Sequence, residues 1–427
     1  MKRGYIIISW CLALLLILLA GFSFIGGCAK AVPKPAQDAK GEEQDKDIDK
    51  TLDTVKVGII DCYTGAPTTY TYDALDGFKL ALEEMKAEGT LKFNIEFVTR
   101  DDEFSPDKSL NWAKELVMRE EVDILAGIIN SAAALGVSQY AKEERVPLLV
   151  WGSMSDKITG EAGHRYVFSM LPNTAIIGRA GAVQMSTMPY TRYFLAGSDY
   201  EYGHSVVGSF WENFSEMKPE ATVVGELWWP VGEPDFTPHI STIRAAKPEV
   251  VVVGTGGNDM VPFMKAVSST GLHQEVKIWV HTATDLSTLK PLGDEAPEGI
   301  YGTNPYHYYF PDTPENKAFV SAFEQAYSRV PAAFALYGYT TGHSIGSALR
   351  KLDTFDTEKF IDALEGLTIE SPVGPVTIRA YDHQIISPMF FGVTVKKDEP
   401  FLVADDIVTL AGEEIIPPEE KIKAKRN

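Results

Sequence analysis

The chain has 427 residues, 45% of them hydrophobic, and a formal net charge of −20. So acidic a surface repels phosphate backbones and excludes nucleic acid as a partner. Length and apolar content suffice for two cores of ordinary domain size.

Lys2 and Arg3 open the chain, and an uncharged, Leu- and Ile-rich stretch follows from Gly4 to Gly27. A positive start, an apolar core and small residues before a cut site describe a secretory signal, removed as residues 1–27. Cys28, directly after Ile25-Gly26-Gly27, resembles the lipid-bearing cysteine of the bacterial lipoprotein lipobox. An uncleaved membrane helix is the alternative, since the stretch can span a bilayer. Either reading puts the remaining chain outside the cytoplasm. Of the three cysteines, Cys11 falls in the signal and Cys28 at the lipid site, so Cys62 has no internal disulfide partner. Residues 28–53 are rich in Lys, Asp, Glu, Gln and Pro and read as a disordered tether.

A regular alternation then begins. Strands are expected over 55–60, 93–99, 124–127, 148–151 and 166–169, with helices over 72–88, from 105 onward, and over 132–144. Ser105-Pro106 is a capping residue followed by Pro at the first helical position. Further strands at 193–196, 222–227, 250–253 and 276–280 alternate with helices at 203–217, 237–246 and 260–270. Residues 314–367 read as mostly helical and 376–403 as short strands. Alternating β and α units imply parallel sheets covered on both faces. There are too many for one sheet of usual size, so the fold class is α/β with two doubly wound lobes.

In such sheets ligands sit beyond the carboxyl ends of the strands. After 124–127 come Asn130 and Ser131 at a helix start, where free N–H groups and the helix dipole favour a carboxylate. Either residue also serves as an ordinary N-cap. After 148–151 come Gly152, Ser153, Met154 and Ser155, two hydroxyls in a tight loop. After 250–253, Gly254-Thr255-Gly256-Gly257-Asn258-Asp259 approaches a dinucleotide fingerprint but has Asp at the last glycine position. Asn258 and Asp259 read better as hydrogen-bonding groups for a small ligand. Tyr63, Tyr70, Tyr72, Tyr200 and Tyr202 fall in Gly-rich loops and suit a small-molecule wall.

Gly342-His343-Ser344-Ile345-Gly346 matches the hydrolase nucleophile elbow, but no strand precedes it and the surrounding apolar residues keep helical spacing, so no catalytic residue is assigned. The histidines never pair at ligand spacing and no EF-hand loop is present, so neither a metal nor a cofactor is expected.

Taken in order, these residues resemble the leucine/isoleucine/valine-binding family of ABC-transporter receptors, the type I periplasmic binding fold. The resemblance runs from 54 to about 405. It rests on Gly65 with Gly77-Phe78, Asp101-Asp102 before Ser105-Pro106, and Gly127-Ile128-Ile129-Asn130-Ser131. Further on it rests on Asp199-Tyr200-Glu201-Tyr202-Gly203, Gly232 with Asp235-Phe236, Tyr339 in a helix with Ala348-Leu349, and Gly374-Pro375-Val376 running to Asp382-His383-Gln384. The resemblance implies that Ser131 holds a ligand carboxylate, with Ser153 or Ser155 replacing a family Thr where Met154 stands. It makes Tyr70, Tyr202 and Tyr339 pocket tyrosines. Where the family places an acid for an ammonium group this chain has Thr282, so Asp285 or Asp259 serves or the ligand has no ammonium. Trp151, in place of a small residue, suggests an altered pocket.

The resemblance also implies three hinge crossings, near 172–175, 301–304 and 373–375. One lobe then comprises 54–173 with 304–373, the other 174–303 with 374–412, and 413–427 remains as a charged tail. Closure of the lobes around an amino acid, amide or aromatic acid, docking on an ABC permease and membrane attachment through the lipid anchor complete the expectation, for a monomer. A ligand-sensing ectodomain, or an exported hydrolase using Ser344, are the alternatives.

Overall fold

The structure is a computed structural model that describes residues 53–65 and 68–426, and of Asn258 the backbone alone. The proposed signal and Cys28 lie outside these residues. Among them no helix is long and apolar enough to cross a membrane.

The first half runs β1 (Thr54–Asp61), α1 (Thr68–Ala87), β2 (Asn94–Asp101), α2 (Pro106–Met118), β3 (Ile124–Gly127), α3 (Ser131–Glu144), β4 (Leu148–Val150) and β5 (Val167–Ser169). All five strands are parallel, in the order β2-β1-β3-β4-β5. β3 and β4 are buried along their whole length, as strands covered on both faces must be. At α2 the Ser105 hydroxyl caps the Lys108 N–H and Pro106 takes the first turn.

The chain then passes to a second sheet through α4 (Thr174–Ser186), β6 (Arg192–Ser198), α5 (Glu201–Met217), β7 (Thr222–Trp229), α6 (Thr237–Ala245), β8 (Val250–Gly254), α7 (Met260–Thr270), α8 (Leu272–Glu275), β9 (Lys277–Val280), α9 (Leu286–Leu292) and β10 (Ile300–Asn304). It returns to the first lobe as α10 (Pro314–Tyr327), α11 (Ala333–Leu349) and α12 (Thr357–Leu364). A small antiparallel sheet follows, from β11 (Thr368–Ile369), β12 (Val376–Ile378) and β13 (Ile385–Ile386). β14 (Met389–Val395) and β15 (Val403–Leu410) add antiparallel to the second sheet, whose order is β15-β14-β10-β9-β8-β6-β7. Two short helices, α13 (Gly412–Ile415) and α14 (Glu419–Arg426), close the chain.

Each sheet reverses its winding once, at β1/β3 in the first and at β6/β8 in the second. Those are the points where helices diverge and leave a crevice. Behind them, α1 and α11 cross at backbone contact. A Cβ on Gly77 or Gly338 would lie within 2.0 Å of a carbonyl oxygen of the facing helix.

Two expectations need correction. The third crossing does not fall at 373–375. β12 and β13 stay with the first lobe, because the Ser169 N–H of β5 donates to the His383 carbonyl at 3.0 Å and Gln384 bridges to Ser169. The Gln384 amide also pins the first crossing, donating to the Leu171 carbonyl (2.7 Å) and accepting from Asn173 Nδ2 (2.9 Å). The chain changes sheet only between Ile386 and Met389. Nor is 413–427 a free tail, since α13 and α14 bury Ile415 and Ile422. Ile422 is the one large apolar residue of α14, too sparse a pattern to read as an amphipathic helix.

Candidate functional site

The first wall of the crevice is set by the turn after β3. Gly127 and Ile128 both have positive φ, at +113° and +67°. A Cβ at Gly127 would lie 2.3 Å from the Ile60 carbonyl oxygen, so glycine is required. Ile128 is a β-branched residue in the left-handed region, strain of a kind that gathers at ligand sites. The Ile128 N–H donates to the Ile60 carbonyl (2.8 Å) and the Ile129 N–H to Asp61 Oδ1 (2.9 Å). Asn130 then caps α3. Its Oδ1 accepts the Ala133 N–H at 3.0 Å while its Nδ2 donates to the Phe104 carbonyl at 3.0 Å. The capping role open to Asn130 or Ser131 therefore belongs to Asn130. Ser131 is the first helical residue, and its hydroxyl is left to accept a bond from Ser153 Oγ at 3.1 Å.

Asp61 is the buried post behind this wall. Burial pushes its carboxyl up to about 7, against the pull of the Trp151 indole and the N–H groups of Cys62 and Ile129. Trp151 Nε1 donates to Asp61 Oδ2 at 3.0 Å. Trp151 is thus turned into the core, and the altered pocket expected from it does not follow. Cys62, Asp101 and Asp102 bring ligand-type atoms within 4.8 Å of one another. Each is engaged by protein: Cys62 Sγ with the Thr64 carbonyl, Asp101 with the Tyr63 and Glu103 N–H groups, Asp102 with Ser109 and the Phe104 N–H. Their role on this showing is to shape the loop that presents Phe104.

The second wall comes from the loops after β6, β7, β8 and β9. Tyr200 and Tyr202 stand at the start of α5, with rings 6.0 Å apart. Val231 and Gly232 follow β7, and Gly256, Gly257 and Asp259 follow β8. The Asp259 carboxylate accepts from the Gly232 N–H (2.8 Å) and Ser198 Oγ (2.9 Å), and none of the described cavity-lining residues is cationic. Burial holds its carboxyl above the ordinary range. Thr282, after β9, is 8% exposed and its hydroxyl has no hydrogen-bond partner among the described residues. Asp285 is spent as the cap of α9, accepting the Ser287 N–H at 2.7 Å.

These walls, with Phe104 and Phe334, enclose a cavity of about 170 Å³. Tyr70 of α1 stacks on Phe334 at the start of α11, with centroids 4.7 Å apart and planes at 27°. Tyr70 faces the cavity together with Gly257 of the other lobe. Among the described lining residues Asp259 is the one ionisable acid, and there is no Lys, Arg or His. The cavity can therefore offer an aromatic slot, hydroxyls at either wall and a helix N-terminus, but no side-chain cation.

Of the residues singled out from sequence, Tyr70, Ser131, Tyr202, Asp259 and Thr282 share this cavity. Ser153 lies one layer behind, bonded to Ser131. Two do not reach it. Ser155 donates to Glu201 Oε1 at 3.0 Å, in the seam between the lobes. Tyr339 donates to Glu84 Oε2 at 2.5 Å on the outer side of α1. The Asn258 side chain lies outside the described residues. Ser344 is mid-helix and donates back to the Thr340 carbonyl at 2.8 Å, so the elbow match has no elbow. Phe104, Ile129, Val231 and Phe334 were missed. The first three follow strands and could have been found by the same carboxyl-end rule. Phe334 follows a long return connection and carries no local signal.

Comparison with known proteins agrees with this geometry. A family model described as periplasmic binding protein matches residues 54–399. The chain is 28% identical over 364 residues to Leu/Ile/Val-binding protein homolog 6 of Brucella melitensis, covering 81% of this chain and 89% of that one. It superposes with a TM-score of 0.77 on an ABC-transporter solute-binding protein of Rhodopseudomonas palustris BisB5 in complex with 3,4-dihydroxybenzoic acid, at 26% identity, covering 84% of this chain and 98% of that one. A second R. palustris solute-binding protein, in complex with 4-hydroxybenzoate, also gives 0.77, at 25% identity and with 84% and 97% covered. Two parallel-sheet lobes, a cavity at their facing strand ends and a family match across most of the chain lead to one conclusion: this chain belongs to the periplasmic binding protein family.

Proposed function

We propose that the chain is the extracytoplasmic receptor of an ABC importer and that its cleft takes a small carboxylate with an aromatic body. The observation that carries the ligand class is the cavity itself. Tyr70, Tyr202, Phe104 and Phe334 supply ring-sized apolar walls, while Ser131 and the α3 N-terminus supply a site for a carboxylate without a side-chain cation. Thr282 faces the same space with an unspent hydroxyl, which suits a neutral substituent such as a ring hydroxyl. Ligands named for the R. palustris relatives are of this class. No bond is made or broken; binding closes the lobes and a permease receives the closed form.

A second reading is a zwitterionic amino acid, favoured by Asp259, a buried carboxylate on a cavity whose described lining residues include no cation. A calorimetric screen separates the two. On the first reading benzoate, 4-hydroxybenzoate or 3,4-dihydroxybenzoate binds and Asp259→Asn leaves the affinity within about twofold, since no charged hydrogen bond is lost. On the second, leucine or phenylalanine binds and Asp259→Asn abolishes it. A cleft that takes none of these compounds sinks both. Attachment through Cys28 belongs to the same proposal: the intact chain should incorporate radiolabelled fatty acid in growing cells and Cys28→Ser should not, and equal labelling of the two would reject the lipid at Cys28.

A further inference from the structure

Three crossings join the lobes of this fold, and here the C-terminal segment makes another connection on the same side. It leaves β15 in the second sheet. α13 touches α4, where Arg179 Nε donates to the Glu414 carbonyl at 3.1 Å. The chain then passes the small sheet of the first lobe, where Arg379 donates to the Pro417 carbonyl at 2.8 Å. α14 ends on the loop between β4 and β5. Arg426 donates to the carbonyls of Thr159 (2.7 Å) and Gly160 (3.0 Å), and its guanidinium lies over the Tyr381 ring at 5.3 Å. Lys425 Nζ pairs with Asp156 Oδ2 at 2.9 Å, and Ile422 is buried beneath. Lys421 reaches back to Glu216 of α5 at 3.5 Å.

The loop so held contributes directly to the cleft. It begins with Gly152 and Met154, which line the cavity, and with Ser153, which bonds Ser131. It also carries the seam between the lobes. Ser155 and Lys157 both meet Glu201 of α5, the latter at 2.9 Å, and Asp156 Oδ1 accepts from Ser205 Oγ at 2.9 Å. One carboxylate, Asp156, is therefore shared between the C-terminal helix and the second lobe.

We propose that α14 is a strap across the hinge, with Lys425 and Arg426 as positioning residues that hold the 153–160 loop against α5 and so favour the closed form. Opening the lobes would have to break the Asp156–Ser205 bond and the contacts of Ser155 and Lys157 with Glu201, made by the loop that Lys425 and Arg426 hold from the first-lobe side. The aromatic-acid reading enters only the ligand arm of the test.

The test uses the soluble chain from residue 53 onward, with nitroxide labels at Met118 on the first lobe and Lys265 on the second. Pulsed electron resonance gives the distance distribution without ligand, for the intact chain, for a chain ending at Pro418 and for Lys425→Ala/Arg426→Ala. The strap predicts a shift to longer, broader distances in both altered chains, with Lys425→Arg keeping the intact distribution. Distributions that coincide in all of them overturn it. Should the truncated chain fail to fold, the double substitution decides. With 3,4-dihydroxybenzoate as probe, the altered chains should release ligand about tenfold faster with little change in on-rate. An intact chain that ignores the probe counts against the ligand class alone, since the ligand-free distances still decide the strap.

Discussion

On the first lobe the cavity wall is internally satisfied: Asn130 caps α3, Ser153 supports Ser131, and Asp61 fixes both the Ile129 backbone and Trp151. On the second lobe the wall is partly unsatisfied, with a Thr282 hydroxyl that has no hydrogen-bond partner among the described residues. A preorganised wall loses little on binding, so its bonds to a charged group contribute nearly in full. An unsatisfied wall gains most when a ligand completes it, and rejects one that does not. Affinity should therefore reside on the first lobe and selectivity on the second.

The largest expected effect tests the first half of that contrast. Ser131→Ala removes a hydrogen bond to a carboxylate and should weaken binding roughly 10- to 100-fold, whatever the ring substituents. Tyr339→Phe, outside both the cavity and the seam, should leave the affinity alone; a Ser131 variant that binds as it does would break the comparison. A smaller effect is expected at Thr282. Thr282→Val should cost about 2- to 10-fold for a hydroxylated benzoate and almost nothing for benzoate, as suits a neutral hydrogen bond. Equal losses for both ligands would mean that Thr282 packs rather than selects.

The smallest effect concerns the residue before it. His281 is buried, its Nδ1 on the Thr303 carbonyl, and burial lowers its pKa from 6.5 to about 4. Between those values the unfolded chain binds a proton that the folded chain refuses. The His281 contribution to stability is therefore complete above about pH 6.5 and declines as pH falls toward 4. The difference in melting temperature between the intact chain and His281→Gln should shrink or reverse over that window. A constant difference would show that His281 is not held neutral.

The order of strands and helices could be read from the chain because apolar runs such as 124–127 and 250–253 are buried on both faces and declare themselves. The carboxyl-end rule pointed to Ser131 and Asp259 and the aromatics of the Gly-rich loops to Tyr70 and Tyr202, all of which line one cavity, whereas Thr282 came from the family resemblance alone. Tyr339 was misplaced because a motif match gives a position along a helix but not which neighbour its face meets. Ser155 was misplaced because a loop's hydroxyls can turn to either lobe.

By itself, then, the amino-acid order determined the alternation of elements, the strand ends where a ligand could sit, the capping chemistry at 130–131 and the acidic exterior. These are local properties, set by periodicity and by residues within a few positions of one another. Tertiary structure alone decided that Phe334 stacks on Tyr70 at the cavity, that Asp285 is a cap while Asp259 lines the space, and that the last eight described residues return to the hinge. Each of those depends on pairing segments far apart in the chain, and the energy that pairs them arises only when both are folded.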